Sequence, residues 1–196
     1  MLEMQVARGL QIEFCEDLRS YLKLVPSLKM YPEASIITID DDVIYECDLL
    51  ERLVNAHKAT PDAICACRMH RIILDAQNQP ITYLKWELCI DDEKESFLNF
   101  PTGVGGVLYP PYCLNKEVLN SDAFMKICPK ADDIWFYVMA RLNRTPHKLV
   151  RTGYPKGYYT SLPLDSSALC FYNISTTTNG NDVQFKKVIK EYGITF

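Results

Sequence analysis

Two hydrophobic rhythms alternate along the chain. "ASIITI" (34–39) is a continuous apolar run of the kind that forms a strand covered on both faces, and "DAICACRMHRIIL" (62–74) and "HKLV" (147–150) also read as strands. Between them, apolar residues recur at helical spacing. Leu18, Tyr21, Leu22, Val25 and Leu28 predict a helix that kinks or breaks at Pro26. Leu49, Leu50, Leu53, Val54 and His57 predict a second, opened by a capping box from Asp48 to Glu51. Ile134, Trp135, Val138, Met139 and Leu142 predict a third behind Asp132 and Asp133. The segment "NDVQFKKVIKEYG" (181–193) predicts a last helix, with Asn181 or Asp182 near its cap and Gly193 at its end. "LQIEFC" (10–15) reads as a further short strand, "QNQPITY" (77–83) as a turn then a strand, and "DDEKES" (91–96) as a solvated loop. Strands alternating with helices predict an α/β sheet. No repeat, linker or low-complexity tract divides residues 1–196, so one domain is expected.

Composition narrows the field. The chain has 196 residues, enough for a substantial core, with 48% hydrophobic and 23% charged residues. A net charge of −4 argues against a polyanion-binding surface, and so against nucleic acid as partner. No apolar run approaches the roughly 18 residues of a membrane span, so no transmembrane segment is expected. The opening "MLEMQVARGLQIEF" lacks the pattern of a signal peptide. The 8 cysteines sit mostly in apolar runs such as "IEFC", "AICAC" and "ALCF", where a reduced thiol acts as a small hydrophobe. Reduced cysteines and a cytoplasmic location are therefore expected. Cys65 and Cys67 share a strand face, but no second Cys or His pair lies at zinc-finger spacing.

Chemistry concentrates at two acidic sites. Asp40, Asp41 and Asp42 follow a predicted buried strand, and in open α/β sheets ligands bind beyond the carboxyl ends of the strands. Carboxylates there suit Mg²⁺ or Mn²⁺ holding a diphosphate, or alternatively form a polar turn that caps the next helix. Asp132 and Asp133 start a helix, where the positive end of its dipole favours acids, and one of them can serve as a general base. Between the two groups, "PTGVGGVLYPP" supplies Gly103, Gly105 and Gly106 for close backbone approach and Tyr109 as a sugar-stacking face.

The order of strand with "DDD", Gly-rich segment and "DD" with helix resembles the glycosyltransferases of the GT-A fold, in particular the inverting family 2 type. "IITIDDDVIY" looks like their Asp-x-Asp motif, and "TGVGGVLYPP" is similar to the segment lining their sugar and acceptor pocket. "ADDIW" matches the place of their acidic pair. With "EDLRSYLKL" and "NDVQF", the set resembles a bacterial subgroup of glycosyltransferases for surface polysaccharide. The resemblance implies a Rossmann-like mixed sheet flanked by helices, a nucleotide-sugar donor, and a saccharide or lipid-linked saccharide acceptor. It places the enzyme in the cytoplasm or at the inner face of the membrane. In this reading Asp42 binds Mn²⁺ or Mg²⁺, Asp40 supports the metal or contacts the donor ribose, and Asp41 completes the nucleotide-sugar segment. Lys23 and Arg19 reach the diphosphate. Asp133 is the base, with Asp132 second choice. Thr102, Gly103, Gly105, Gly106, Tyr109 and Trp135 border sugar and acceptor, although Trp135 also fits a core position on its helix. His147 has a parallel in relatives of the fold that place a late His on the metal. No Gln-x-x-Arg-Trp motif of processive members occurs, which favours transfer of a single sugar.

Only 39 residues precede Asp40, fewer than the resemblance implies. The first nucleoside-binding βαβ unit is therefore expected to be largely missing, leaving an open edge that favours a homo-oligomer and weak nucleotide affinity. Two other classes stay open at this level. One is a truncated, non-catalytic remnant serving as a binding or assembly subunit. The other is an unrelated metal-dependent phosphotransfer enzyme.

Overall fold

The computed structural model describes residues 2–153, 160–161, 169–175 and 179–196. In chain order the elements are α1 (Leu2–Ala7), α2 (Val25–Met30), β1 (Ile36–Thr38), β2 (Val43–Ile44), α3 (Leu49–Ala59), β3 (Ile64–Ala66), β4 (Met69–Arg71), β5 (Asn99–Pro101), β6 (Val107–Tyr109), α4 (Ser121–Ile127), α5 (Asp132–Leu142), β7 (His147–Leu149), β8 (Thr160–Ser161), α6 (Leu169–Asn173) and α7 (Gly180–Glu191). Single 3₁₀ turns precede α2 (Arg19–Lys23) and β6 (Gly103–Gly105).

A mixed sheet flanked by helices forms the centre, in the order β1-β6-β3-β7. β6 runs antiparallel to both β1 and β3, while β3 and β7 are parallel. β1, β3 and β7 therefore point the same way, with β6 reversed among them. Strand periodicity splits the core in two. Ile64 and Ala66 of β3, and Val107 and Tyr109 of β6, join the large cluster built on α5; Cys65 and Leu108 face the other way onto Leu49 and Leu53 of α3. Coverage on both faces is why these runs are continuously apolar.

On the larger side, α5 is apolar almost all round, as a helix buried within a core must be. Trp135 is fully buried, edge-on to Phe124 and Tyr192, with its indole N–H donating to the Val118 carbonyl at 3.2 Å. Tyr21 stacks on Phe124 at 3.9 Å and donates its hydroxyl to the Cys128 carbonyl, which locks the segment leading into α2 against α4. All seven cysteines with described side chains are free. Cys170 lies outside them. No helix among the described residues is long and apolar enough to cross a membrane.

Several local expectations are corrected. β1 is a three-residue edge strand pairing antiparallel with β6, and Ile36 and Ile37 are only half-buried. The "LQIEFC" run forms no strand; it lies exposed, with Phe14 97% accessible, because no ladder reaches it. "DAICACRMHRIIL" breaks into β3 and β4, and 83–85 is a 3₁₀ turn. Pro26 falls in the first turn of α2, where its missing N–H costs nothing. The Asp48–Glu51 capping box does not close; Asp48 instead accepts from Arg52 Nε at 2.7 Å. Asp182 likewise leaves its own helix to accept from Thr82 Oγ1 and the Tyr83 N–H. Leu50 and Val54 point outward from α3, leaving Leu49 and Leu53 as its buried stripe.

That stripe yields a paired prediction. Leu53→Ala should cost about 2–5 kcal/mol of unfolding free energy, while Leu50→Ala should stay within about 0.5 kcal/mol, both read from urea denaturation. Equal losses would contradict the orientation of α3.

Candidate functional site

The strand directions bring the chemistry together. Thr38 pairs with Val107, Val107 with Ala66, and Ala66 with Leu149. Three segments consequently meet at one end of the sheet: the Asp turn after β1, the Gly-rich turn before β6, and Arg68 after β3. This end lies beyond the carboxyl termini of the three co-directional strands.

Lys23 joins the acids. Its ammonium lies 2.7 Å from Asp40 Oδ1 and 3.6 Å from Asp132 Oδ2. The lysine and Asp40 side chains are each 22% exposed, and Asp132 only 9%. The Gly103 N–H donates to Asp133 Oδ1 at 2.9 Å. A Cβ at 103 would stand 2.9 Å from Lys23 Nζ and 3.0 Å from Asp133 Oδ1, so any side chain there would shift one of these two charged ends. Tyr45 ties the turns together, its hydroxyl accepting from the Asp40 N–H and donating to the Val104 carbonyl, both at 2.9 Å. Arg68 Nη1 donates to Thr102 Oγ1 at 3.1 Å, and the Thr102 N–H to the Arg68 carbonyl. The two acidic groups, some ninety positions apart in sequence, thus share one charged cluster.

Electrostatics follow from this crowding. Burial, reinforced by the neighbouring Asp132 charge, pushes the Asp133 carboxyl up to about 7; Lys23 and the Gly103 N–H pull the other way. Burial also raises the Asp132 carboxyl, against Lys23. Ser20 leans toward Asp132 and favours its ionised form, but no hydrogen bond closes on the buried Oδ2 atom. For Lys23, burial opposes the charge, yet Asp132, Asp133 and Asp40 outweigh it and hold the ammonium above the ordinary lysine range.

The remaining residues of the expected site take other roles. Asp41 and Asp42 are exposed on the turn, and among the described residues neither pairs with Lys23. Arg19 is exposed, with φ 56, and makes no ion pair among the described residues; its N–H donates to Asp17. Trp135 belongs to the core, since two helical positions beyond Asp133 is roughly 200° around the axis. Tyr109 is 5% exposed with its ring edge-on to Phe136, so it offers no stacking face. With Asp133 and His147 it lines a cavity of about 10 Å³. His147 is itself buried against the Tyr137 ring, and burial lowers its basicity to about 3. Gly105 is buried, and Gly106, at φ 85, would place a Cβ 3.3 Å from Leu49, which makes it a packing glycine.

A divalent ion needs several oxygen ligands converging on one point. Among the described residues no three His, Cys, Asp or Glu side chains are so placed, and the position between Asp40 and Asp132 is taken by the lysine ammonium. In this arrangement the residues do not fit the expected Mn²⁺ or Mg²⁺. Tyr45 and Arg68 were missed at the sequence level. A lone tyrosine five residues after the first aspartate, and an arginine directly after a strand, were the available signals.

The raised Asp133 carboxyl sets a pH dependence. The folded state holds a proton that the unfolded chain releases near 3.8, so this group's stabilisation is complete below that pH and is lost as pH rises through about 7. Urea unfolding between pH 4 and 7.5 should show stability falling with pH, with a shallower slope in Asp133→Asn, which keeps the Gly103 bond without the charge. Identical slopes would refute the assignment.

Comparison with known proteins finds no matching family model, no matching curated protein and no matching solved structure.

Proposed function

We propose that this chain is a glycosyl-transfer domain of GT-A type, moving a sugar from a nucleotide-sugar donor to a hydroxyl of a saccharide acceptor with inversion. The observation that carries the reading is the meeting of Asp40, Lys23, Gly103, Asp132 and Asp133 at the carboxyl ends of the parallel strands. The order of motifs that resembles the GT-A enzymes anticipates that meeting, and an acid with a proton affinity near neutrality suits a general base.

In this mechanism Asp133 takes the proton of the acceptor hydroxyl as its oxygen bonds to the anomeric carbon. The bond from that carbon to the diphosphate oxygen breaks on the opposite face, and the nucleoside diphosphate leaves with the electron pair. The Gly103 N–H holds the Asp133 carboxylate by one oxygen, leaving the other for the acceptor. Asp132 stays paired toward Lys23 and raises the basicity of its neighbour.

One observation also favours the non-catalytic alternative: Lys23 and Asp40 already satisfy each other, as a structural strut would. Turnover separates the two. With a panel of nucleotide sugars, the parent protein should release nucleoside diphosphate in an acceptor-dependent manner, and Asp133→Asn should lower kcat by about 10²–10⁴-fold with folding retained. Gly103→Ala, which displaces Lys23 or Asp133 without left-handed strain, should lower kcat by about 10²-fold and stability far less. A folded parent inactive toward every donor would leave the strut reading.

A further inference from the structure

Glycosyl transfer demands positive charge where the leaving diphosphate gathers its electrons. Among the described residues at this sheet end, the cation set against the acids is Lys23; Arg68 is engaged with Thr102. Three features make Lys23 a built element. It reaches from the 3₁₀ turn at Arg19–Lys23 to the turn after β1 and the start of α5, spanning 17 and 109 residues of sequence. The missing side chain at Gly103 leaves the room its Nζ needs. Finally, the buried Asp132 Oδ2 accepts no hydrogen bond among the described residues, and this ammonium stands 3.6 Å from it.

We infer that the Lys23 ammonium is the resident cation of this cleft, standing where a divalent ion would have to bind and holding the turn-borne Asp40 against the helix-borne Asp132. The inference rests on the glycosyl-transfer reading only in assigning the ammonium to the leaving diphosphate. An ammonium has three N–H donors. Asp40 takes one and Asp132 attracts a second, so the third is available to a ligand oxygen on the side that stays 22% exposed. Removing the charge has a definite consequence. Asp40 and Asp132 would then face an unfilled space from two sides, and two carboxylates left without the cation between them can hold a hard divalent ion whose other ligands are waters. Lys23 therefore excludes the ion that its loss would admit.

The test uses Mn²⁺ and inorganic pyrophosphate as probes, in protein carrying Asp41→Asn and Asp42→Asn so that the exposed acids take no ion. In that background the Gly103 amide resonance should remain sharp as Mn²⁺ is added, and Lys23→Met should bind Mn²⁺ about tenfold or more tightly. Adding Asp40→Asn to Lys23→Met should abolish that gain. Mn²⁺ broadening of the Gly103 amide with lysine in place, at the concentration that broadens it in Lys23→Met, would overturn the inference. So would a gain that survives Asp40→Asn. Should Lys23→Met fail to fold, the Gly103 amide of the lysine-containing protein decides alone. Pyrophosphate separates this inference from the reading beneath it. Binding in EDTA that Lys23→Met loses supports both. Binding that requires Mn²⁺ and ignores Lys23→Met overturns the resident cation and leaves the transfer reading standing. Absence of pyrophosphate binding in both conditions overturns the diphosphate site, while the Mn²⁺ titration still judges the cation.

Discussion

The ion pairs of Lys23 with Asp40 and Asp132 are the constraint on which the cleft depends. Carboxylates drawn from solvent into a shared space lose hydration and repel one another, and removing one partner of such a cluster leaves charge uncompensated. The N-terminal end of α5 offsets part of this cost for Asp132 and Asp133 through its dipole and free N–H groups. Lys23 offsets more, because it faces two of the acids directly. The lysine thereby couples three parts of the chain that share no backbone ladder: the 3₁₀ turn before α2, the turn after β1, and the start of α5. Tyr45 extends the coupling to the Gly-rich turn through bonds to Asp40 and Val104.

What makes such a cluster attainable is the direction of the strands. Because β6 alone runs against β1, β3 and β7, the segment entering β6 lies beside the segments leaving the others. The Gly-rich turn, which by sequence lies some sixty residues from the aspartates, is thus a neighbour of theirs in space. A fully parallel arrangement would have sent it to the opposite end of the sheet. The large core then fixes α5 behind this end, with Trp135, Tyr137 and Ile134 anchoring the helix so that its first turn has little freedom to move.

Much of this arrangement was legible in the residues, and what was not has physical causes. The pairing of a strand-end acid with a helix-start acid could be read from motif order, and Lys23 could be placed near them. The geometry at single positions could not. Trp135 and Asp133 are two residues apart, and only the helix phase reveals that they face opposite ways. The run at 36–39 looks like a strand covered on both faces because it is mostly apolar, yet β1 is an edge strand whose Ile36 and Ile37 pack only half-buried against the two cores. The Asp48–Glu51 spacing allows a capping box, but a nearby guanidinium competes for the same carboxylate and wins. Asp41 and Asp42 sit beside Asp40 in sequence, yet only Asp40 reaches the lysine.

The glycines of the "TGVGG" turn make the same point about cause. Gly103 and Gly106 read alike as residues that let backbone approach a ligand, but each answers to a different neighbour. At Gly106 the backbone adopts a positive φ and the absent side chain makes room for Leu49 of α3, so this glycine serves the smaller core. At Gly103 the space belongs to charged atoms, Lys23 Nζ and Asp133 Oδ1, and the amide itself binds the carboxylate. Gly106 thus joins α3 to the sheet while Gly103 admits a cation to the acids. A turn that must satisfy both demands at once has little latitude in sequence, and it ties the packing of the sheet to the geometry of the charged cleft.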